Sequence, residues 1–337
     1  MEEQVPGAGR GFFGAAALMA ILLVLAILAS LSLGRYPIPI GALLTRIFGG
    51  AFASPQMEAI FFNVRLPRII MACLVGTSLA AAGASYQGVF QNPLAAPDIL
   101  GASSGAATGA TLAILLRLPG PMITVFAFFA SLITIALVMF VGNHAQGRRI
   151  IGLILAGLMI SSLLSAGISF MKLMADPNNV LPEIVYWLMG SLAKTKPQDI
   201  SFVLIPMALG LIPLFIFRWR INLLTLNEEE AQSMGVNVKG TRALVILCST
   251  LITAAAVSVS GIIGWAGLVI PHLTRRIVGN DYQRLMPASM LFGALFLLLI
   301  DNISRNLFAT EVPLGILTSL VGAPFFLWLI TRKGDLW

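Results

Sequence analysis

Nine stretches of this chain, each 16 to 29 residues long, contain no charged residue and no His, Asn or Gln. They cover about 11–34, 69–86, 99–116, 118–142, 150–171, 200–217, 243–271, 285–300 and 312–331. A helix that crosses bilayer hydrocarbon takes about 20 apolar residues. Only 10% of residues are charged, where a soluble domain carries about 25%. The pattern predicts an all-α polytopic membrane protein with a single transmembrane domain over residues 1–337, and it excludes an ordinary soluble fold. The first run exceeds the roughly 7–15 apolar residues of a secretory signal and lacks a clear small-residue cleavage site, so it reads as a retained helix.

The run 243–271 is too long for one crossing. As a single helix it would measure about 44 Å against a hydrocarbon core of about 30 Å. Lys239 and Arg242 precede it, and Arg275 and Arg276 follow it. Because basic loops favour the cytoplasm, both ends belong on one side, which predicts a hairpin turning near Gly261-Ile-Ile-Gly264. The count becomes ten transmembrane helices with both termini cytoplasmic. Arg10, Arg148/Arg149, Arg218/Arg220, Arg284 and Arg332/Lys333 then fall on the same side. The long segments 35–65 and 172–199 face outside, with a short surface helix over 181–191.

One strongly polar island interrupts this chain, from Asn222 to Arg242. Asn227 is a suitable N-cap, Glu228, Glu229 and Glu230 suit the positive end of a helix dipole, and Gly235 can close the helix. Two polar turns cannot cross a bilayer. They must lie at its surface, within reach of a soluble partner.

Other features are weighed against plainer roles. Arg65-Leu-Pro-Arg68 opens the second helix, with Pro67 suited to its first turn; two interfacial arginines reaching for headgroups would look the same. Gln91-Asn-Pro-Leu-Ala-Ala-Pro-Asp98 breaks the helix at its other end, as an irregular turn beside a cavity or as a plain loop. Gly101, Gly105 and Gly109 recur every four residues and point to close helix packing. Asp301 and Arg305 lie four apart near the end of a helix; Asp301 reads as half of a neutralising pair and Arg305 as outward-facing. Met159, Met171 and Met174 read as packing. Cys73 and Cys248 lie in separate apolar runs and form no C-x-x-C, and His144 and His272 have no metal-ligand spacing, so neither a disulfide, a metal site nor catalysis is indicated. Gly-Lys never occurs, so there is no phosphate-binding loop and any ATPase is another chain. The net charge of +7 is assigned to topology rather than to nucleic acid.

Five ordered blocks, Arg65-Leu-Pro-Arg68, Gln91-Asn-Pro-Leu-Ala95, Glu229-Glu-Ala-x-x-x-Gly235, Gly267-Leu-Val-Ile-Pro-His272 and Pro313-Leu-Gly315, resemble the FecCD-type permeases of bacterial ABC importers. That family includes vitamin B12, ferric siderophore and haem importers. The match runs from about residue 12 to 333. The resemblance implies the type II importer permease fold and a pair of permeases around a central pathway, a homodimer or, alternatively, a heterodimer. Two ABC ATPase subunits, carrying ATP and Mg, would bind below and a substrate-binding protein above, in the cytoplasmic membrane of a prokaryote. It implies no cofactor on this chain. Residues 225–238 would form the coupling helices, with Asn227, Glu228, Glu229, Glu230, Ala231 and Gly235 at the ATPase. Arg65, Arg68 and Arg305 match positions that meet carboxylates of the binding protein. Asn92 and Leu94 match a turn near the cytoplasmic gate, and a second gate element falls at Ile150 and Ile151. B12 members carry small hydroxyl residues at that second element, so these isoleucines suggest a different cargo or seal.

The expectation is a permease for an iron chelate, most often a ferric siderophore, with haem, cobalamin and molybdate-type oxyanions as alternatives. An ion-coupled secondary transporter would need buried carboxylates at unwound helices, and Asp301 alone supports it poorly. An intramembrane enzyme would need paired carboxylates or a nucleophile with its base, and the runs contain neither.

Overall fold

The computed structural model describes residues 8–34, 36–144, 149–226 and 228–331; Asn227 and both extreme termini lie outside them. Among the described residues there are helices and turns and no strands. Helix α1 spans Ala8–Ser32, and two short helices follow, α2 (Ile40–Ile47) and α3 (Pro55–Ile60). A single π turn, Phe61–Arg65, joins α3 to α4 (Leu66–Val89). The second membrane helix therefore begins well before its apolar run at 69, and the expected outer loop 35–65 is largely helical. Ser54 caps α3 through its side chain, accepting from the Met57 amide at 3.2 Å, and Pro55 occupies the first position.

A turn and a 3-10 segment (Pro97–Leu100) lead to α5 (Ala102–Leu115), followed by α6 (Gly120–His144), α7 (Arg149–Met174) and the short α8 (Val180–Leu188). Then come α9 (Pro197–Ile216), α10 (Arg218–Leu224), α11 (Glu228–Ser233), α12 (Val238–Ser260), α13 (Ala266–Val278), α14 (Tyr282–Asn306) and α15 (Leu314–Thr331). Seven helical stretches are long and apolar enough to cross a membrane, and α5 and α15 are apolar but shorter.

Helix α4 is the axis of the bundle. Its middle is Ala80–Ala82, Gly83 and Ala84, all buried, and α14, α12, α13 and α9 pack around it. Small side chains permit this crowding: a Cβ on Gly76 would overlap the carbonyl oxygen of Gly293 in α14, and one on Gly83 would overlap that of Gly267 in α13. Without such contacts the helices would gain little by associating in lipid, where no hydrophobic difference separates a partner helix from an acyl chain. The Gly105 and Gly109 positions of α5 press on α6 at Thr134, Ala130 and Phe126, which is the packing role expected of them.

The break in 243–271 falls at the expected place, with Gly261 at φ 68° and Trp265 at φ 66°. The arm that follows differs from the expected hairpin. Helix α13 packs on α4 and α14 rather than back along α12. Its 13 residues rise about 20 Å, short of the roughly 30 Å hydrocarbon. The Gly83–Gly267 contact explains the choice of partner, since it lets the start of α13 settle onto the backbone of α4. Helix α8 is also more than a surface element. Its end is bonded to the same break, the Ser191 amide donating to Ser260 O at 2.7 Å, and to α15, whose Leu314 amide donates to Gly190 O at 2.8 Å.

Candidate functional site

Helices α4 and α14 run antiparallel, so each end of the pair gathers residues far apart in sequence. At the end where α4 begins, Arg68 is 4% exposed and Asp301 fully buried. The Arg68 Nε donates to both Asp301 oxygens at 2.9 and 3.1 Å, and its Nη2 lies 2.8 Å from Asp301 Oδ1. The Arg68 Nη1 donates to Glu311 Oε1 at 3.0 Å, and Glu311 Oε2 lies 2.9 Å from Nη2. The Arg305 Nε sits 3.3 Å from Asp301 Oδ2, while its Nη2 donates to Ser30 Oγ at 2.6 Å and to Asn302 Oδ1. Arg65 donates to the carbonyls of Leu31 and Ser32 at the end of α1 and of Tyr36 just beyond it.

The expected Asp301–Arg305 pair is present, yet Asp301 holds Arg68 more closely. Arg305, assigned an outward-facing role, is 8% exposed and turned into this cluster. Isolated charges here would be costly, so they answer one another: three arginines, two carboxylates and the carbonyls of a helix end. Glu311, only partly buried in the loop after α14, covers Arg68 from outside. Sequence reasoning missed it, because an acid in a loop six residues past Arg305 shows no periodic relation to an arginine in α4.

At the opposite end, α11 carries Glu229 and Glu230 exposed and Ala231 buried. The Gly235 amide donates to Gln232 O at 2.9 Å and the Val236 amide to Ala231 O at 3.3 Å, with Gly235 at φ 79°. That pair of bonds is a Schellman closure, with glycine in the left-handed position. Asn237 then caps α12, accepting from the Gly240 amide at 2.9 Å. Glu228 opens α11.

The turn after α4 lies beside this segment. Asn92 Oδ1 accepts from the Leu94 amide at 2.9 Å, an Asx turn that holds the tip, and Leu94 is 50% exposed. The structure brings this turn against 224–226 through Gln91, whose Nε2 donates to Leu224 O at 2.9 Å and Leu226 O at 3.2 Å. Ile150, half-buried, packs against the core near the start of α7, and Ile151 is 51% exposed. A cleft of about 600 Å³ opens beside the turn, lined by Gln91, Asn92, His272, Arg275 and Arg276 among others and, among the described residues, by no acidic one. A smaller cavity of about 200 Å³, lined by Trp187, Lys194 and Lys196 among others, opens by α8 and the start of α9. Among the described residues no cluster of His, Cys, Asp and Glu is able to hold a metal.

Comparison with known proteins adds three kinds of likeness. The model of the FecCD transport family matches residues 22–332. A molybdate import permease of Haemophilus influenzae is 40% identical over 91% of this chain and 92% of its own. A Helicobacter pylori permease named for iron chelatin transport is 42% identical over 82% and 84%, and a hemin transport permease of Yersinia pestis is 37% identical over 94% and 95%. A solved ABC transporter of metal-chelate type, in an inward-facing conformation, superposes with a TM-score of 0.85 at 39% identity, covering 96% of this chain and 99% of the other.

Proposed function

This chain belongs to the FecCD transport family, and we propose that it is the membrane-spanning permease subunit of an ATP-driven importer whose cargo is an iron chelate, a ferric siderophore foremost. The observation that carries the importer reading is α11. It is a polar two-turn helix, held by a glycine closure at one end of the bundle, with two glutamates turned to solvent and no bilayer role. Relatives named for iron chelatin and hemin support the cargo class. The molybdate and cobalamin relatives keep oxyanions and corrinoids as alternatives.

In this reading the chain contributes no catalysis, and two ATPase subunits bind at α11 through Glu228–Glu230, Ala231 and Gly235. A second permease copy completes the pathway. Exposed Ser162, Ser165 and Ser169 on one face of α7 support that pairing, since hydroxyls turned outward from an apolar bundle suit a wet or protein-lined surface better than lipid. Ten membrane segments follow if α13 is counted with α5, α15 and the seven long helices. Asn92, Leu94, Ile150 and Ile151 form the inner seal, and the α11 end faces the cytoplasm of a prokaryotic cell. The binding protein docks at the Arg68 end, where Arg65, Arg68 and Arg305 receive its carboxylates. Burial of the three arginines changes how they act: an incoming carboxylate would compete with Glu311 for Arg68.

The test is uptake by proteoliposomes holding the permease with its ATPase and binding-protein partners. ATP-driven accumulation of ferric siderophore is expected, with haem, cobalamin and molybdate offered in parallel. Accumulation without ATP would overturn the importer reading, and molybdate alone would reassign the cargo.

A further inference from the structure

Gln91 stands where two separately recognised segments touch. Its backbone has φ 49°, one of three non-glycine residues in the left-handed region among the described residues, a conformation uncommon for a side chain without special local bonding. The effect is to throw the chain off the axis of α4 while the side-chain amide turns toward the segment preceding α11. There both Nε2 protons are used, one on Leu224 O and one on Leu226 O. The amide thus caps two backbone carbonyls, one at the end of α10 and one two residues beyond it.

The same segment is fastened on its other side. Asn222 Nδ2 donates to Asp281 Oδ1 at 2.6 Å, and Asn222 Oδ1 accepts from the Tyr282 amide at 2.7 Å. This ties α10 to the first turn of α14. Beneath Gln91 the end of α4 is in tight contact with both elements, since a Cβ on Gly88 would meet Ile221 and the Tyr282 hydroxyl. Asn222 is therefore the fixed side of a short lever, and Gln91 is the bond at its moving side, three residues before Leu94.

We propose that Gln91 is a positioning residue that mechanically joins the turn at 92–94 to the segment entering α11, so that a displacement of α11 is delivered to Leu94 through the two amide hydrogen bonds. The inference rests on the importer reading of α11. It adds the particular link through which that reading operates. A side chain bonded to two backbone carbonyls leaves no trace in sequence pattern, because any residue supplies the carbonyls.

The test uses the complete importer in proteoliposomes, with a spin label placed either at position 94 or at Met234, which is 62% exposed beside α11. Gln91→Asn accepts the left-handed backbone more readily but is too short by one methylene to reach both carbonyls. Gln91→Gly relaxes the turn and removes the amide. In the unmodified chain ATP is expected to shift both labels. In both variants the label at 234 still responds while the response at 94 is lost, and transport per ATP hydrolysed falls about tenfold, the worth of two ordinary hydrogen bonds. A label at 94 that follows ATP undiminished in Gln91→Asn overturns the proposal. A label at 234 that ignores ATP in the unmodified chain instead overturns the coupling role of α11 itself. Equal transport in all three proteins, with normal responses at both labels, also counts against the link.

Discussion

Gly83 and Gly267, 184 residues apart in the chain, meet backbone to backbone, the Gly267 carbonyl filling the space where a side chain on Gly83 would begin. This contact seats α13 on α4 and with it the residues that line the cleft beside Gln91. Gly83→Val is expected to push the two helices apart and cost at least the roughly 1–3 kcal/mol typical of overpacking. Thermal unfolding in detergent, followed by size exclusion, should show a lowered midpoint for Gly83→Val. Gly14→Val, where a Cβ would meet nothing, should leave the midpoint unchanged.

The buried charge cluster makes a sharper prediction. Asp301→Asn leaves Arg68 and Arg305 without their shared buried carboxylate, and breaking such a pair costs about 3–5 kcal/mol. Arg68→Met combined with Asp301→Asn removes one buried charge with its partner and should lose less than the sum of the two single variants, Arg305 still lacking its carboxylate. The measurement is a double-mutant cycle on thermal stability. Additive losses would show that the pair is not coupled.

Glu311 reports on docking. Because it covers Arg68 from the solvent side, Glu311→Gln should free a cationic site and tighten binding of an acidic partner severalfold, with a steeper dependence on salt. Titration of the binding protein against the purified importer at two ionic strengths checks this. An affinity that falls would mean that Glu311 belongs to the docking surface itself.

At the other end, Gly235→Val forces a β-branched residue into the left-handed region at a cost of about 1–2 kcal/mol, with nothing nearby to clash. The expected outcome is a folded membrane domain whose ATP hydrolysis no longer drives transport. Glu229→Lys with Glu230→Lys should uncouple in the same way. Normal transport by the well-expressed double variant would count against α11 as the ATPase contact.

Leu94 is the last point of test. Leu94→Ala should make ATP-free vesicles leak small solutes, and a cysteine placed there should crosslink to its counterpart in a second copy. A tight vesicle and no crosslink in any nucleotide state would place this turn away from the pathway.

Most helices were legible because a bilayer demands long apolar runs, and those runs are visible without tertiary information. The break at Gly261 was legible from length and flanking arginines. The route of α13 was not, since it depends on a glycine contact between helices 184 residues apart. The early start of the second membrane helix was hidden as well. Residues 55–68 contain Glu58, Asn63, Arg65 and Arg68 and score as loop until Asp301, Glu311 and the carbonyls around the end of α1 are known to answer the two arginines. Gly235 was readable as a helix closure because its chemistry is local. Glu311 and Gln91 act across the fold, on an arginine and on backbone carbonyls, and neither leaves a spacing to read.

The Arg68–Asp301 pair also sets an order of events during synthesis. Arg68 enters the membrane 233 residues before its partner, a delay of roughly 10–50 s at about 5–20 residues per second. Through that interval the arginine has no buried carboxylate, and an unpaired charge at mid-helix costs about 2.5–3.5 kcal/mol on insertion scales. Its place near the start of α4 lets it wait among the headgroups. Arrival of α14 supplies its partner, so this pair forms only after nine-tenths of the chain has been made, and a chain truncated before Asp301 would leave Arg68 without that carboxylate.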